Sequence, residues 1–121
     1  MSLHLELGSA IEQAFKNDLD GPVEHKQDVM TFRLNNGVAL EVRYAAADAY
    51  SLRWTHGGAE AGIDTAPLHR GLATFPNHLH HAVNGIVADP ITRPDALPEA
   101  NVCELVRALL ENPLLGIKDI A

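Results

Sequence analysis

The side chains with the clearest chemical potential lie in residues 64–81, DTAPLHRGLATFPNHLHH, which hold four of the seven histidines of the chain. Three of these histidines, together with a neighbouring arginine, are the candidate catalytic residues: His69, His78, His80 and Arg70. Histidine can both accept and donate a proton near neutral pH, and an arginine beside it can hold a phosphate. Such a set is the minimal equipment for metal-free cleavage of RNA, with Arg53 as the alternative phosphate ligand.

A metal site is a second interpretation of the same histidines. His78 and His80 are two positions apart, so on a β-strand both imidazoles project from one face. His69 or Asp64 could complete a set of ligands from the preceding loop. The spacing does not specify which metal such a site binds, so the cofactor is left open.

A third interpretation is structural. Thr74, Asn77 and the imidazole nitrogens could satisfy backbone groups of a loop that the sheet does not reach. Chemistry alone favours this interpretation.

The elements that must position these residues follow from hydrophobic periodicity. Ser9 and Glu12 form a capping-box pattern, which predicts a helix over residues 10–17. Alternating apolar residues then predict strands over residues 30–34, 38–44, 50–55 and 59–63. In the first hairpin, a three-residue loop with a left-handed Gly37 keeps the apolar faces together, because it pairs Phe32 with Leu40.

The charged side chains of this sheet fall on the face opposite its apolar residues: Arg33, Glu41, Arg43 and Arg53. Cross-strand ion pairs are one explanation of this pattern, and an arginine-lined groove for an anion is the other.

After the histidine loop, residues 78–83 are predicted to form a fifth strand, and the turn Asn84-Gly85 leads to a sixth over residues 86–88. His78 and His80 then share one face, whereas His81 lies on the other.

The apolar stripe Val102, Leu105, Val106, Leu109 and Leu110 predicts a helix on the apolar face of the sheet. Pro98 suits its first turn, and residues 114–120 are expected to add a short closing turn. The predicted fold is therefore α+β, an antiparallel meander of five to six strands with an N-terminal and a C-terminal helix on one face.

Length and composition favour one domain, residues 1–121, in a reducing cytoplasmic setting. The single cysteine, Cys103, cannot form an internal disulfide, and no leader or long apolar run is evident, so no membrane contact is expected. The net charge of -7 opposes long-range attraction to phosphates, so any contact with nucleic acid would be local.

The histidine segment resembles the central motif of the TumE-like family of bacterial toxin-antitoxin toxins. That family carries acid-Asn-Ala-Pro-His-His followed by Thr-Phe-Pro-His-His-Lys-His, and this chain has DTAPLH at 64–69 and TFPNHLH at 74–80. The order of elements is similar from about residue 30 to residue 110. The chain keeps His69, His78 and His80, and it differs from the family pattern at Leu68, Arg70, Asn77 and Leu79.

The resemblance implies a cytoplasmic toxin that a cognate antitoxin protein neutralises, and RNA is the hypothesised target. In this hypothesis His69, His78 and His80 transfer protons or contact phosphate, with help from Arg70. The alternative from another class is a non-catalytic module that binds a partner protein, or a second copy of itself as a homodimer, through an open strand edge. A histidine-based metal-binding protein is the third alternative, so enzymatic activity is left undecided.

Overall fold

The computed structural model describes residues 3–115 and has the predicted α+β architecture. Its strands form a single antiparallel sheet in which each strand pairs with the next one in sequence. The elements in chain order are α1 (Leu3–Ala14), β1 (Glu24–Lys26), β2 (Val29–Arg33), β3 (Ala39–Ala46), β4 (Ala49–His56), β5 (Ala59–Asp64), β6 (His78–His81), β7 (Gly85–Ala88) and α2 (Pro98–Glu111). The sheet has seven strands where the sequence predicted five to six.

The core lies between the helices and the apolar face of the sheet. Alternation on β2, β3 and β4 buries every second side chain, including Phe32, Leu40 and Trp54. On α2, the residues Leu105 and Leu109 are fully buried, as their helical spacing predicted. The helices therefore back the sheet on one side and leave its polar face open.

The predicted register of the first hairpin is confirmed. Met30 pairs with Val42 and Phe32 with Leu40, and the amide of Leu34 donates to the carbonyl of Val38 at 2.8 Å. Gly37 has a φ of 95°, in the left-handed region that the loop requires. This register puts the arginines of the sheet on its polar face.

The N-terminal helix begins and ends earlier than the predicted residues 10–17. It spans Leu3–Ala14, so Ser9 lies inside the helix and does not cap it. Glu12 instead accepts a hydrogen bond from the amide of Val23 at 3.1 Å, which holds the chain as it leaves the helix. The pattern Ser-x-x-Glu was therefore not a helix start here.

Two details of the sheet also differ from the sequence prediction. β1 was missed because its residues, Glu24–Lys26, are all exposed and carry no apolar alternation. β6 ends at His81, where the predicted strand ended at residue 83. The β6–β7 turn therefore spans residues 82–84 and not Asn84-Gly85, because His81 pairs with Gly85. The predicted closing turn over residues 114–120 lies largely outside the described residues.

Within residues 3–115, neither helix combines the length and the apolar character that crossing a membrane requires.

Candidate functional site

Asp64, His78 and His80 meet on the polar face of the sheet. Asp64 is the last residue of β5 and is paired in register with His78, the first residue of β6, and His80 is paired with Gly62 one step further along. The Nε2 atoms of the two histidines are 3.0 Å apart, and each lies 3.2 Å from an oxygen of the Asp64 carboxylate. The three side chains are called the Asp64 cluster below.

His78 is the buried member of this cluster. Its side chain is 1% exposed, and its Nδ1 lies 3.2 Å from the carbonyl oxygen of Pro76. Because a carbonyl only accepts hydrogen bonds, Nδ1 must carry a proton and donate it. The ring is thereby fixed with Nε2 directed at Asp64 and His80.

His80 is the accessible member, since 48% of its side chain is exposed. Its Nε2 contacts Oδ2 of Asp64, while Oδ1 of the same carboxylate contacts His78. Oδ1 also accepts a hydrogen bond from the amide of Ala66 at 3.0 Å, which fixes the carboxylate against the loop that follows β5. Asp64 therefore orients both imidazoles.

The third predicted histidine lies against the same cluster. The ring of His69 makes an edge contact with His78, with centroids 4.6 Å apart, and its centroid is 6.5 Å from that of His80. The structure thus brings together all three histidines that the sequence proposed, although the loop separates His69 from His78 by eight residues.

Arg70 lies apart from the three imidazoles in its described contacts. Its guanidinium lies over the ring of Phe75, 5.8 Å from the centroid. Arg53, the alternative phosphate ligand in the sequence interpretation, is the arginine that lines the cleft beside His80. Its position follows from the alternation of β4, which places it opposite Gly62 of β5.

The cleft has a volume of about 350 Å³ and opens on the polar face of the sheet. It is lined by Ser51, Arg53, Glu60, Ala61, Gly62, Asp64 and His80. Gly62 lies between Arg53 and His80 across three neighbouring strands, so the absence of a side chain there leaves room between the arginine and the imidazole. The guanidinium of Arg53 lies at one end of this space and the imidazole of His80 at the other.

Arg53 also contacts a carboxylate. Its Nη2 lies 3.4 Å from Oε1 of Glu60, and about two-thirds of both side chains are exposed (67% and 68%). Solvated ion pairs of this kind contribute little free energy, so a bound anion could replace Glu60 at small cost. The structure therefore shows a cross-strand ion pair for this arginine, and the anion groove stays a prediction.

A buried polar network supports the segment that carries His78. The side-chain amide of Asn77 donates to Oδ2 of Asp89 at 2.8 Å and to the carbonyl of Thr92 at 2.9 Å. The hydroxyl of Thr74 donates to the carbonyl of Asn77 and accepts from the amide of Asp89. The structural interpretation of the segment thus holds for Thr74 and Asn77.

Asp89 is the residue of this region that sequence reasoning missed. Its carboxylate is buried and also accepts hydrogen bonds from the amides of Ile91 and Thr92. The pattern Asp-Pro after a short strand is typical of a side-chain-capped turn, and it was the available signal.

His81 is separate from the Asp64 cluster, as predicted from strand alternation. It is 7% exposed, and its Nδ1 accepts hydrogen bonds from the amides of Val83 and Asn84. Its role is to hold the β6–β7 turn.

A scan of the chain against protein-family models found no match, and neither did searches of curated proteins and of solved structures. The chemistry of the Asp64 cluster, the cleft beside it and the motif that forms them are therefore the basis for assigning a function.

Proposed function

We propose that this protein is the toxin of a bacterial toxin-antitoxin module and that it acts on RNA at the Asp64 cluster. The observation that carries the proposal is the convergence of the motif residues: Asp64, His69, His78 and His80 come from a strand end, a loop and a second strand, yet their side chains meet beside one cleft. A cytoplasmic location and a cognate antitoxin belong to the same proposal.

His80 is the best placed proton acceptor. It is half exposed, lines the cleft and has Asp64 at 3.2 Å from Nε2. If Nε2 donates its proton to the carboxylate, Nδ1 is the atom that accepts a proton from substrate, and Asp64 stabilises the imidazolium that results. In such a histidine-carboxylate pair, the imidazole transfers the proton and the carboxylate orients and stabilises the imidazole.

RNA cleavage by this set needs a second histidine as the acid. The 2′-hydroxyl oxygen attacks the adjacent phosphorus as His80 takes its proton, the bond from phosphorus to the 5′-oxygen breaks, and the leaving oxygen takes a proton from His69. The ring centroids of His69 and His80 are 6.5 Å apart, a separation that a phosphate group can bridge. His78 is too buried to reach substrate, so it is a positioning residue.

Arg53 is the proposed phosphate ligand. It lies across Gly62 from His80, and its present partner Glu60 is exposed and exchangeable. Because the chain carries a net charge of -7, this cation must act at short range in the cleft and not by long-range attraction.

The test is controlled expression of the full chain in a bacterial host without an antitoxin gene. Wild-type protein is expected to arrest growth, and His80→Ala and Arg53→Ala are expected to relieve the arrest. His56→Ala is the matched control, because His56 ends β4 outside the Asp64 cluster. Thermal melts of the purified variants check folding. Growth arrest that survives His80→Ala, or no arrest by wild-type protein, would refute the proposal.

The target is tested separately on RNA from the arrested cells. Attack by the 2′-hydroxyl leaves a 2′,3′-cyclic phosphate, so end-mapping should find these termini in cells that express wild-type protein and not in cells that express His80→Ala. Arrest with intact RNA would contradict RNA as the target.

A second candidate function, binding of a partner protein without catalysis, is favoured by one edge of the sheet. The outer strand β7 has the sequence GIVA, and two apolar residues of this region are exposed: Val83 in the turn before β7, at 66%, and Ile86 within β7, at 38%. The opposite edge strand, β1, is charged, which discourages pairing. A Val83→Lys variant that loses a partner while His80→Ala keeps it would support this function and not the toxin.

A further inference from the structure

We infer that Asp64, His78 and His80 form a binding site for a divalent transition metal of the zinc type, with one coordination position open toward the cleft. This inference goes beyond the proposed toxin function and does not depend on it. One ligand atom from each of the three residues lies within 4.8 Å of the others.

The proton positions leave unshared electron pairs directed at one point. Nδ1 of His78 donates to the carbonyl of Pro76, so in the neutral ring Nε2 carries a lone pair. That lone pair faces the Asp64 carboxylate at 3.2 Å and Nε2 of His80 at 3.0 Å. Metal-ligand atoms this close repel one another unless a proton or a metal ion lies between them, and among the described residues no Lys or Arg forms an ion pair with Asp64.

A single proton can satisfy one of these contacts, whereas a metal ion satisfies all three. In a tetrahedral site with metal-nitrogen bonds of about 2.0–2.1 Å, neighbouring ligand atoms are about 3.3–3.4 Å apart. The observed separations of 3.0 to 3.2 Å are close to that value, but Asp64 contacts His78 through Oδ1 and His80 through Oδ2. A tetrahedral site with one carboxylate oxygen therefore needs a small rotation of Asp64 that brings one oxygen near both imidazoles. His80 and Asp64 are partly exposed and can make such small movements while His78 stays in place.

The outer contacts also have the form of a metal site. Metal-binding histidines commonly donate their other ring N–H to a carbonyl or carboxylate, and binding carboxylates accept hydrogen bonds from nearby groups. Here Pro76 accepts from Nδ1 of His78, and the amide of Ala66 donates to Asp64. These contacts orient His78 and Asp64 toward the same point.

The donor set selects the class of ion. Two imidazoles and one carboxylate suit Zn²⁺ and neighbouring transition metals, whereas Mg²⁺ and Ca²⁺ prefer an all-oxygen shell. Three protein ligands leave a fourth position, and because His80 and Asp64 line the cleft, that position faces it. A water molecule or a substrate oxygen is the ligand that the open position would accept.

The test is calorimetric titration of the full chain with ZnCl₂, after removal of metal with a chelator that is then dialysed away. One ion is expected to bind per chain, and excess Mg²⁺ is expected not to compete. Substitution by Co²⁺ is expected to give the visible absorption bands of a tetrahedral site. Absence of a saturable event with the wild-type chain would overturn the inference.

Two variants keep the test independent of folding. His80→Ala removes an accessible ligand, and Asp64→Asn removes the charge while its side-chain oxygen can still accept from Ala66. Each is expected to weaken Zn²⁺ binding by roughly 100-fold or more. His56→Ala, the control for adventitious binding by other histidines, is expected to bind like wild type. Unchanged affinity in both cluster variants would refute the site.

The outcomes separate this inference from the toxin proposal. Zinc binding that depends on His80, in a protein that does not arrest growth, would leave the metal site intact and refute the toxin. Growth arrest by a chain that binds no zinc would do the reverse.

Discussion

The buried carboxylate of Asp89 should hold the segment that carries His78 in place. The substitution Asp89→Asn tests this role. The carboxylate accepts four hydrogen bonds: Oδ1 accepts from the amides of Ile91 and Thr92, and Oδ2 accepts from the side chains of Asn77 and Thr92. An asparagine can keep the two backbone bonds through its oxygen. Its NH₂ group would then face the two donors that Oδ2 accepts from.

The expected cost follows from the two lost bonds. Each hydrogen bond to a charged group contributes about 1.5–3 kcal/mol, and a buried group left without a partner adds to the loss. Relaxation of the loop offsets part of this, so Asp89→Asn should lower the free energy of unfolding by about 3 kcal/mol. For a domain of this size the melting temperature should fall by roughly 12 °C.

Urea unfolding followed by tryptophan fluorescence measures this change, since Trp54 is buried in the core. Asp95→Asn is the matched control, because Asp95 forms an exposed ion pair with Arg93, and losing such a pair should leave the free energy of unfolding nearly unchanged. Equal losses in the two variants, or a loss below about 1 kcal/mol for Asp89→Asn, would show that the network does not hold the segment.

Two further predictions concern the cleft and the buried tyrosines. Gly62→Ala should weaken any function that uses the cleft, because a Cβ there would lie 3.2 Å from the backbone oxygen of Leu52 and 3.3 Å from Cγ of Arg53, so that the strand or the arginine must shift. Gly71→Ala, where a Cβ meets open space, is the control. Growth arrest and Zn²⁺ affinity are the measurements, and a thermal melt checks that the variant folds. Burial raises the pKa of Tyr50 to about 12 and also raises that of Tyr44. The tyrosine hydroxyls therefore ionise at a lower pH in the unfolded chain than in the folded one. The stability that the protonated tyrosines contribute is fully present below about pH 10 and is lost as the pH rises toward 12. Unfolding free energies across this range, with tyrosinate absorbance as the probe of ionisation, should show that decline; constant stability would contradict it.

The sheet was predictable where one face is apolar and the other polar. Alternation predicted the faces of β2 to β5, and the preference for pairing apolar residues with each other predicted the three-residue loop at Gly37. The strand β1 could not be found in this way, because an exposed edge strand with the sequence EHK carries no such pattern. The start of α1 was missed because Ser and Glu at this spacing also occur inside helices. Here the Glu12 side chain accepts a hydrogen bond from the amide of Val23, a tertiary contact that the sequence pattern does not reveal.

The candidate site was predictable in its histidines and less so in its other residues. Spacing on a strand put His78 and His80 on one face, but spacing could not show that His78 would be buried beneath the preceding loop and His80 exposed. Arg53 and Gly62 contribute to the cleft through cross-strand pairing, and register between β4, β5 and β6 is a tertiary property. Arg70 was chosen because it follows His69 in sequence, and the structure directs it to Phe75.

Asp64 shows why the position of a carboxylate matters more than its presence in the motif. As the last residue of β5 it is held by strand pairing with His78 on one side and by the amide of Ala66 on the other. One oxygen of the carboxylate therefore contacts each imidazole. A carboxylate on a flexible loop would not keep this geometry, because ordering its side chain would cost conformational entropy and water would compete for its oxygens. Proton transfer by His80 and metal binding by all three residues both need the carboxylate at this position. Asp64→Asn alters the charge without the position, so it should, like His80→Ala, reduce both growth arrest and zinc affinity.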